Sequence, residues 1–276
     1  MRSAALTAAT VLAASIALAF LALPLVAIFA HTSPSRLVDQ LSNPVVEDAF
    51  IVSVKTSLIA QLLIVVLGTP TAYVLASRRF PGRTLALLLV ELPLVLPPAV
   101  AGIGLLAAFG RVGLLGSSLR GLGITVPFTQ AAVTLAVAFV ASPLYVRTAI
   151  AAFEATDPNL AAASRTLGAG AGRTFFRVVL PLARAGLAAG LALSFARGLG
   201  EFGATIMFAG SLQRVTQTLP LAIYAEFDRN FDAALAMGGV LVLLSILLLA
   251  GLRAGLSWQP FTSQTSPSRF GLSTSA

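Results

Sequence analysis

The sequence predicts an all-α integral membrane protein, a single transmembrane domain over residues 1–276 with six transmembrane helices and both termini in the cytoplasm. Three observations carry that expectation. The first is composition: 57% of the 276 residues are hydrophobic and only 10% are charged, against roughly 25% charged in an ordinary soluble domain. The second is segmentation, because apolar runs of about 20 residues or more, long enough to cross a bilayer, recur along the chain without the alternating pattern of a barrel. The third is the placement of the basic residues, which gather on alternate sides of the apolar runs. There is no cysteine, which excludes a disulfide framework and a thiolate metal site and leaves the redox compartment unreadable.

The first apolar run is Leu6 to Ala30, preceded by Arg2. Its length favours a retained span over a cleaved signal peptide, whose apolar region covers about 7 to 15 residues. His31 to Phe50 is polar, carries Pro34 and Pro44, and reads as an outside loop with a short surface helix. The second run, Val52 to Ser77, ends in a basic turn, Arg78-Arg79-Phe80-Pro81-Gly82-Arg83, where Pro and Gly stop a helix. The third, Thr84 to Phe109, contains Glu91, Pro93, Pro97, Pro98, Gly102 and Gly104. So many disruptors predict a bent or broken helix, tolerated at membrane depth only where protein or a wet cavity satisfies the backbone. A Gly-rich outside loop, Arg111 to Pro127, leads to the fourth run, Phe128 to Ile150. After the polar stretch Ala151 to Arg184 comes a fifth span, Ala185 to about Met207, holding Arg197 and Glu201. Phe208 to Asp232 reads as a polar outside segment, Ala233 to Leu252 as the sixth span, and the Ser- and Thr-rich residues 253–276 as a disordered cytoplasmic tail.

Cytoplasmic segments of membrane proteins collect Lys and Arg, so the charges test this arrangement. With the N-terminus inside, eleven bases are cytoplasmic (Arg2, Arg78, Arg79, Arg83, Arg147, Arg165, Arg173, Arg177, Arg184, Arg253 and Arg269) and six are outside (Arg36, Lys55, Arg111, Arg120, Arg214 and Arg229). Acids run the other way, with Glu154 and Asp157 inside against Asp39, Glu47, Asp48, Glu226, Asp228 and Asp232 outside. The net charge of +8 is thereby explained by an excess of Lys and Arg in cytoplasmic loops, with no need for a nucleic-acid partner.

Ala151 to Arg184 is the one long polar, helix-forming interruption. Asp157-Pro158 opens an Ala-rich helix over Asn159 to Leu167, Gly168 stops it, and a second short helix from about Ala171 leads to Leu180-Pro181. By physics alone this is either an ordinary amphipathic hairpin or a docking element. The series Ala162-Ala163-Ser164, then Gly168, then Val178-Val179-Leu180-Pro181 resembles the EAA motif of bacterial ABC-importer permeases, whose first helix sits in a cleft of the ATPase subunit. That resemblance assigns ATPase coupling to Ala162, Ala163, Ser164, Arg165, Gly168, Leu180 and Pro181. Ala162 stands where the family has Glu, and Ser164 where it has Ala, so the contact made by that Glu does not carry over.

Three further stretches, Leu92-Pro93-Leu94-Val95-Leu96-Pro97-Pro98, Arg197 to Thr205 and Thr216-Gln217-Thr218-Leu219-Pro220-Leu221-Ala222-Ile223-Tyr224, are similar to the permease subunits of molybdate importers, over about residues 45–252. Sulfate permeases share the Gly-Glu-Phe-Gly run and the Thr-x-Thr-Leu-Pro arrangement; Gln217 with Ala222-Ile223-Tyr224 leans towards molybdate, with tungstate a further cargo. The resemblance implies a six-helix permease core of MetI-like architecture in the inner membrane, acting as a homodimer with two cytoplasmic ATPase subunits and an external oxyanion-binding protein. No cofactor is expected on this chain, since ATP and Mg belong to the partner ATPase.

The residues themselves add chemistry. Arg197 and Glu201 are four apart and share a helix face; ionisable groups at membrane depth face a bundle interior or a wet cavity, so the pair either borders the translocation path or fixes helix packing. Glu91 has no local partner and is a candidate cavity residue. Thr205, Ser211, Thr216, Gln217 and Thr218 offer hydroxyls, an amide and backbone N–H groups for an oxyanion that must be released as well as admitted; they form either an outer gate or a hydrogen-bonded turn before Pro220. A phosphate-binding loop needs G-x-x-x-x-G-K-[ST], and the only lysine, Lys55, has no glycine upstream at the required place, so ATP hydrolysis falls to a partner. An ion-coupled carrier using Glu91 and Glu201 is the competing reading, though no pair of inverted halves is evident. With one histidine, His31, and no cysteine, neither a metal-ligand cluster nor a catalytic set is present.

Overall fold

The computed structural model describes residues 2–31 and 34–255. Among them there are helices and no strands: α1 (Arg2–His31), α2 (Pro34–Leu41), α3 (Pro44–Ser77), α4 (Arg83–Val95), α5 (Pro98–Phe109), α6 (Gly116–Gly121), α7 (Gln130–Glu154), α8 (Pro158–Thr166), α9 (Ala171–Thr174), a π turn (Phe175–Val179), α10 (Leu180–Leu199), α11 (Gly203–Ala209), α12 (Leu219–Glu226) and α13 (Phe231–Gly255). Residues 256–276, most of the expected tail, lie outside the described residues. Five helical stretches are long and apolar enough to cross a membrane, and the bent pair α4–α5 makes a sixth only if it counts as one span.

α7 is the centre of the bundle, packed on α3 along one side and on α10 along the other. α3 meets it with Ala60, Ile64, Gly68, Ala72 and Leu75, a stripe at helical spacing. α3 begins at Pro44 rather than Val52, because Asn43 caps it by accepting from the Val45 N–H at 3.0 Å and proline is tolerated in a first turn. On α10, Gly186 and Gly190 present a flat surface to α7, where an added Cβ would come within 2.5 Å of Ala152 Cβ and 3.1 Å of Thr148 Cβ. Without a hydrophobic drive between helices in lipid, such small-residue contacts are what bring membrane helices together. α1 stands apart: its side chains from Leu6 to Leu25 are exposed, and near its end Ile28 and Phe29 approach Gly239 of α13.

The third run breaks as its prolines predict. α4 and α5 meet at 118° around Leu96 (φ −63, ψ 132) and Pro97 (φ −53, ψ 131), each preceding a proline that excludes helical backbone. The break is covered by protein, since α5 lies against α11 so closely that a Cβ on Gly102 would be 2.6 Å from the Ala204 carbonyl oxygen and one on Gly203 would be 2.7 Å from Pro98 Cβ.

The fifth span departs from expectation at both ends. The short helix expected to lead to Leu180-Pro181 does not stop there; it continues through the π turn into α10, giving one span over Ala171–Leu199. Proline lacks an N–H and its ring clashes with the carbonyl four residues back. The wider turn, in which the Leu180 N–H reaches Phe175 O, admits Pro181 without breaking the helix. At the other end helix α10 stops at Leu199, so the expected helix to Met207 is replaced by a bend at Gly200–Phe202 and the separate α11.

Candidate functional site

The α8 hairpin is built to stay rigid while projecting. Asp157 caps α8 by accepting from the Asn159 N–H at 2.9 Å, and Gly168 (φ +87) takes the left-handed conformation that a side chain disfavours, letting the Ala169 N–H close on Ser164 O at 3.1 Å. Ser164 Oγ lies 3.2 Å from Thr174 Oγ1, where Thr174 is fully buried, so the hydroxyl found in place of Ala ties α8 to α9. Beneath them Tyr73, Phe153 and Phe175 form an aromatic cluster with centroids 4.7–6.2 Å apart. Outward, α8 buries no residue of its own: Leu160, Ala162, Ala163 and Arg165 are exposed, as are Leu167, Gly168, Arg173, Phe176, Arg177 and Pro181. Leu180 is half-buried. Ala162 and Arg165 border a cleft shared with Ser77, Glu154 and Asp157. Arg83 braces its rim, donating from Nε to Leu75 O at 2.8 Å and from Nη2 to Glu154 Oε1 at 3.1 Å.

The second group of residues surrounds the bend after α10. Arg197 Nη1 is 2.9 Å from Glu201 Oε2, an ion-pair contact without hydrogen-bond alignment, and Glu201 Oε1 accepts from the Ala204 N–H at 2.8 Å. The buried carboxylate therefore joins the end of α10 to the start of α11. Thr216 Oγ1 accepts from the Leu212 N–H at 3.0 Å and Gln217 Nε2 donates to Ser211 Oγ at 3.2 Å; Thr216, Gln217 and Thr218 are all buried. In this conformation the loop is a closed hydrogen-bonded turn. The hydroxyls of Thr205 and Thr218 and Nε2 of Gln61 are buried without a hydrogen-bond partner.

Sequence reading missed the residues that hold this loop down. Ser53 Oγ accepts from the Leu219 N–H at 2.7 Å, and Asp48 Oδ2 accepts from Gln213 Nε2 at 2.9 Å and Arg214 Nε at 3.1 Å; further along α3, Gln61 Oε1 accepts from Ser194 Oγ of α10 at 2.9 Å. Their signal lies in Ser53, Ser57 and Gln61, polar residues four apart and hence on one face of an apolar helix. Glu91, which has no partner close in sequence, pairs with Arg147 at 3.3 Å, a contact made between α4 and α7 and invisible in local sequence.

Residues 64–257 match the family described as binding-protein-dependent transport system inner membrane component. The chain belongs to this family. It is accordingly a multi-pass inner-membrane transport subunit and not an enzyme. It is 45% identical over 237 residues, covering 85% of this chain and 89% of the relative, to the Mycobacterium tuberculosis molybdenum transport system permease protein ModB. It is 38% identical over 257 residues, 91% of this chain and 88% of the relative, to the Escherichia coli sulfate transport system permease protein CysT. The fold matches that of the MetNI methionine ABC transporter in inward-facing form at a TM-score of 0.60, with 20% identity and coverage of 81% and 97% of the two chains. It also matches a bacterial alginate ABC transporter at 0.69, with 14% identity and coverage of 91% and 92%. The resemblance read from Leu92 to Pro98, Arg197 to Thr205 and Thr216 to Tyr224 thus holds, and with it the MetI-like permease fold.

Proposed function

We propose that the chain is the permease of an ATP-driven importer of a tetrahedral oxyanion, with molybdate as its cargo. The observation that carries the reading is the projecting α8 hairpin: a capped helix stopped by Gly168 and braced from below, with an exposed face of Leu160, Ala162, Ala163, Arg165 and Leu167, on a chain that has no phosphate-binding loop of its own. Such a face suits docking into a separate ATPase, whose ATP and Mg would supply the energy. Two permease copies with two ATPases and an external binding protein would complete the assembly. Six spans with both termini cytoplasmic agree with the distribution of basic residues, and residues 45–252 would form the core around the coupling loop 151–184. Arg197, Glu201, Thr205, Ser211, Thr216, Gln217, Thr218 and Glu91 would border the path or its outer gate. Closing the ATPases would bias an equilibrium between inward- and outward-facing states.

Molybdate is placed ahead of sulfate because the molybdenum permease relative is the more similar of the two. The ion-coupled reading is weakened because Glu91 and Glu201 each face an arginine, which leaves neither carboxylate free for a cation. Liposomes reconstituted with the ATPase and binding protein should hydrolyse ATP faster with molybdate than with sulfate or tungstate and take molybdate up only when ATP is present. Uptake without the ATPase would overturn the proposal; equal stimulation by sulfate would reassign the cargo.

A further inference from the structure

Arg147 is the one charged residue in α7 short of its last residue, Glu154. It lies seven residues before that end, about 10 Å along the axis, and its partner Glu91 lies eight residues into α4, about 12 Å from Arg83. α7 is otherwise wrapped by its neighbours: Val146, Ala149, Ile150 and Phe153 are buried, and Thr148 meets Gly190. Its one exposed stripe over these turns is Arg147, Ala151 and Glu154, three residues on a single helix face. That stripe ends at the cleft shared by Glu154, Asp157 and Arg165. The ion pair is open, with Arg147 58% and Glu91 44% exposed at their side chains. Two half-exposed ionised groups on the inner turns of apolar helices are costly against hydrocarbon and are stable beside water or protein.

We propose that Arg147 is an inner anion-binding position of the translocation path, a site for a tetrahedral oxyanion with Glu91 as its resting counter-ion. The inference rests on the transport reading above and assigns a residue that reading leaves out. Glu91 contacts the guanidinium through Nε, and a guanidinium carries five N–H donors, so an arriving oxyanion finds donors still to take and charge-assisted bonds to make. The same carboxylate competes for the cation, which keeps the site weak enough to empty, as passage requires. Ala151, one turn further along the stripe, adds no polar group and leaves the way to the cleft open.

The cysteine-free chain allows a direct test. Ala151→Cys, in inside-out vesicles and with the ATPase present, is labelled with an anionic and with a cationic methanethiosulfonate. Both reagents should react, in a ratio set by Arg147, Glu91 and Glu154 together. Replacing Arg147 with Gln should slow the anionic reagent about threefold and speed the cationic one about threefold, roughly a tenfold change in their ratio, as expected for one charge about 6 Å away in water. Glu91→Gln should move the ratio the other way, which keeps the test decisive if Arg147→Gln fails to assemble. Molybdate or sulfate should protect against the anionic reagent in the Arg147 background only. Labelling by N-ethylmaleimide but by neither charged reagent, or a ratio indifferent to both substitutions, would overturn the proposal. Labelling needs no transport, so its failure is distinct from failure of the uptake assay.

Discussion

Glu201 uses its two oxygens on two different elements, one on the Arg197 guanidinium and one on the Ala204 N–H. A buried carboxylate is stable only when paired and hydrogen-bonded, and here the two partners bridge the bend at Gly200–Phe202. Glu201→Ala should therefore remove both ties, cost about 3–5 kcal/mol, as breaking a buried pair does, and abolish uptake. Glu201→Gln keeps an acceptor for the Ala204 N–H and should cost about 1–3 kcal/mol. Denaturant titration of the purified chain beside uptake in vesicles checks both; equal losses in the two variants would mean that the amide bond contributes nothing. Ser164 is the other informative residue. Ser164→Ala leaves Thr174 Oγ1 without its partner and should lower the number of oxyanions carried per ATP while leaving the yield of assembled protein unchanged, read from paired uptake and hydrolysis rates.

At the scale of elements, the breaks matter more than the helices. The pairing of α5 with α11 depends on Gly102, where any Cβ meets the Ala204 backbone oxygen at 2.6 Å and Met207 Cβ at 2.7 Å. Gly102→Val should destabilise the bundle by about 1–3 kcal/mol through overpacking, with backbone on one side unable to yield; unfolding midpoints against those of Gly104→Val, at a site with open space, isolate the steric effect. In the α8 hairpin, Gly168→Glu forces a side chain into φ +87 and adds an acid beside Arg165, so hydrolysis should continue while uptake falls at least tenfold with the bundle still assembled. Undiminished uptake would remove the hairpin from coupling. The broken third run was legible because Pro97-Pro98 dictates backbone locally. The continuation through Pro181 was not, because a π turn is a compromise between the proline and the packing of Thr174 and Val179, both buried, and no local residue announces it.

On the scale of the whole molecule, α7 holds α3, α10, α4 and α11 together, so movement imposed on α8, which hangs from the end of α7, has a path to both broken elements. Arg83–Glu154 and Arg147–Glu91 are pairs of reversed polarity along the α4–α7 seam, the base on α4 in the first and on α7 in the second, and they tie the two helices together from the α8 end inward. Composition and the spacing of apolar runs determined by themselves that this chain is a helical membrane protein, because burying backbone in lipid leaves helices as the solution for such runs. The Gly168 stop, the Pro97-Pro98 break and the absent phosphate loop were equally legible, each being a property of a few adjacent residues. Only the tertiary structure decided the partners of charged and polar groups: Glu91 with Arg147, Gln61 with Ser194, Asp48 with Gln213 and Arg214. Those contacts form between helices whose mutual rotation is fixed by small residues such as Gly186, Gly190 and Gly102, and packing of that kind sums over the whole bundle and is written in no single stretch.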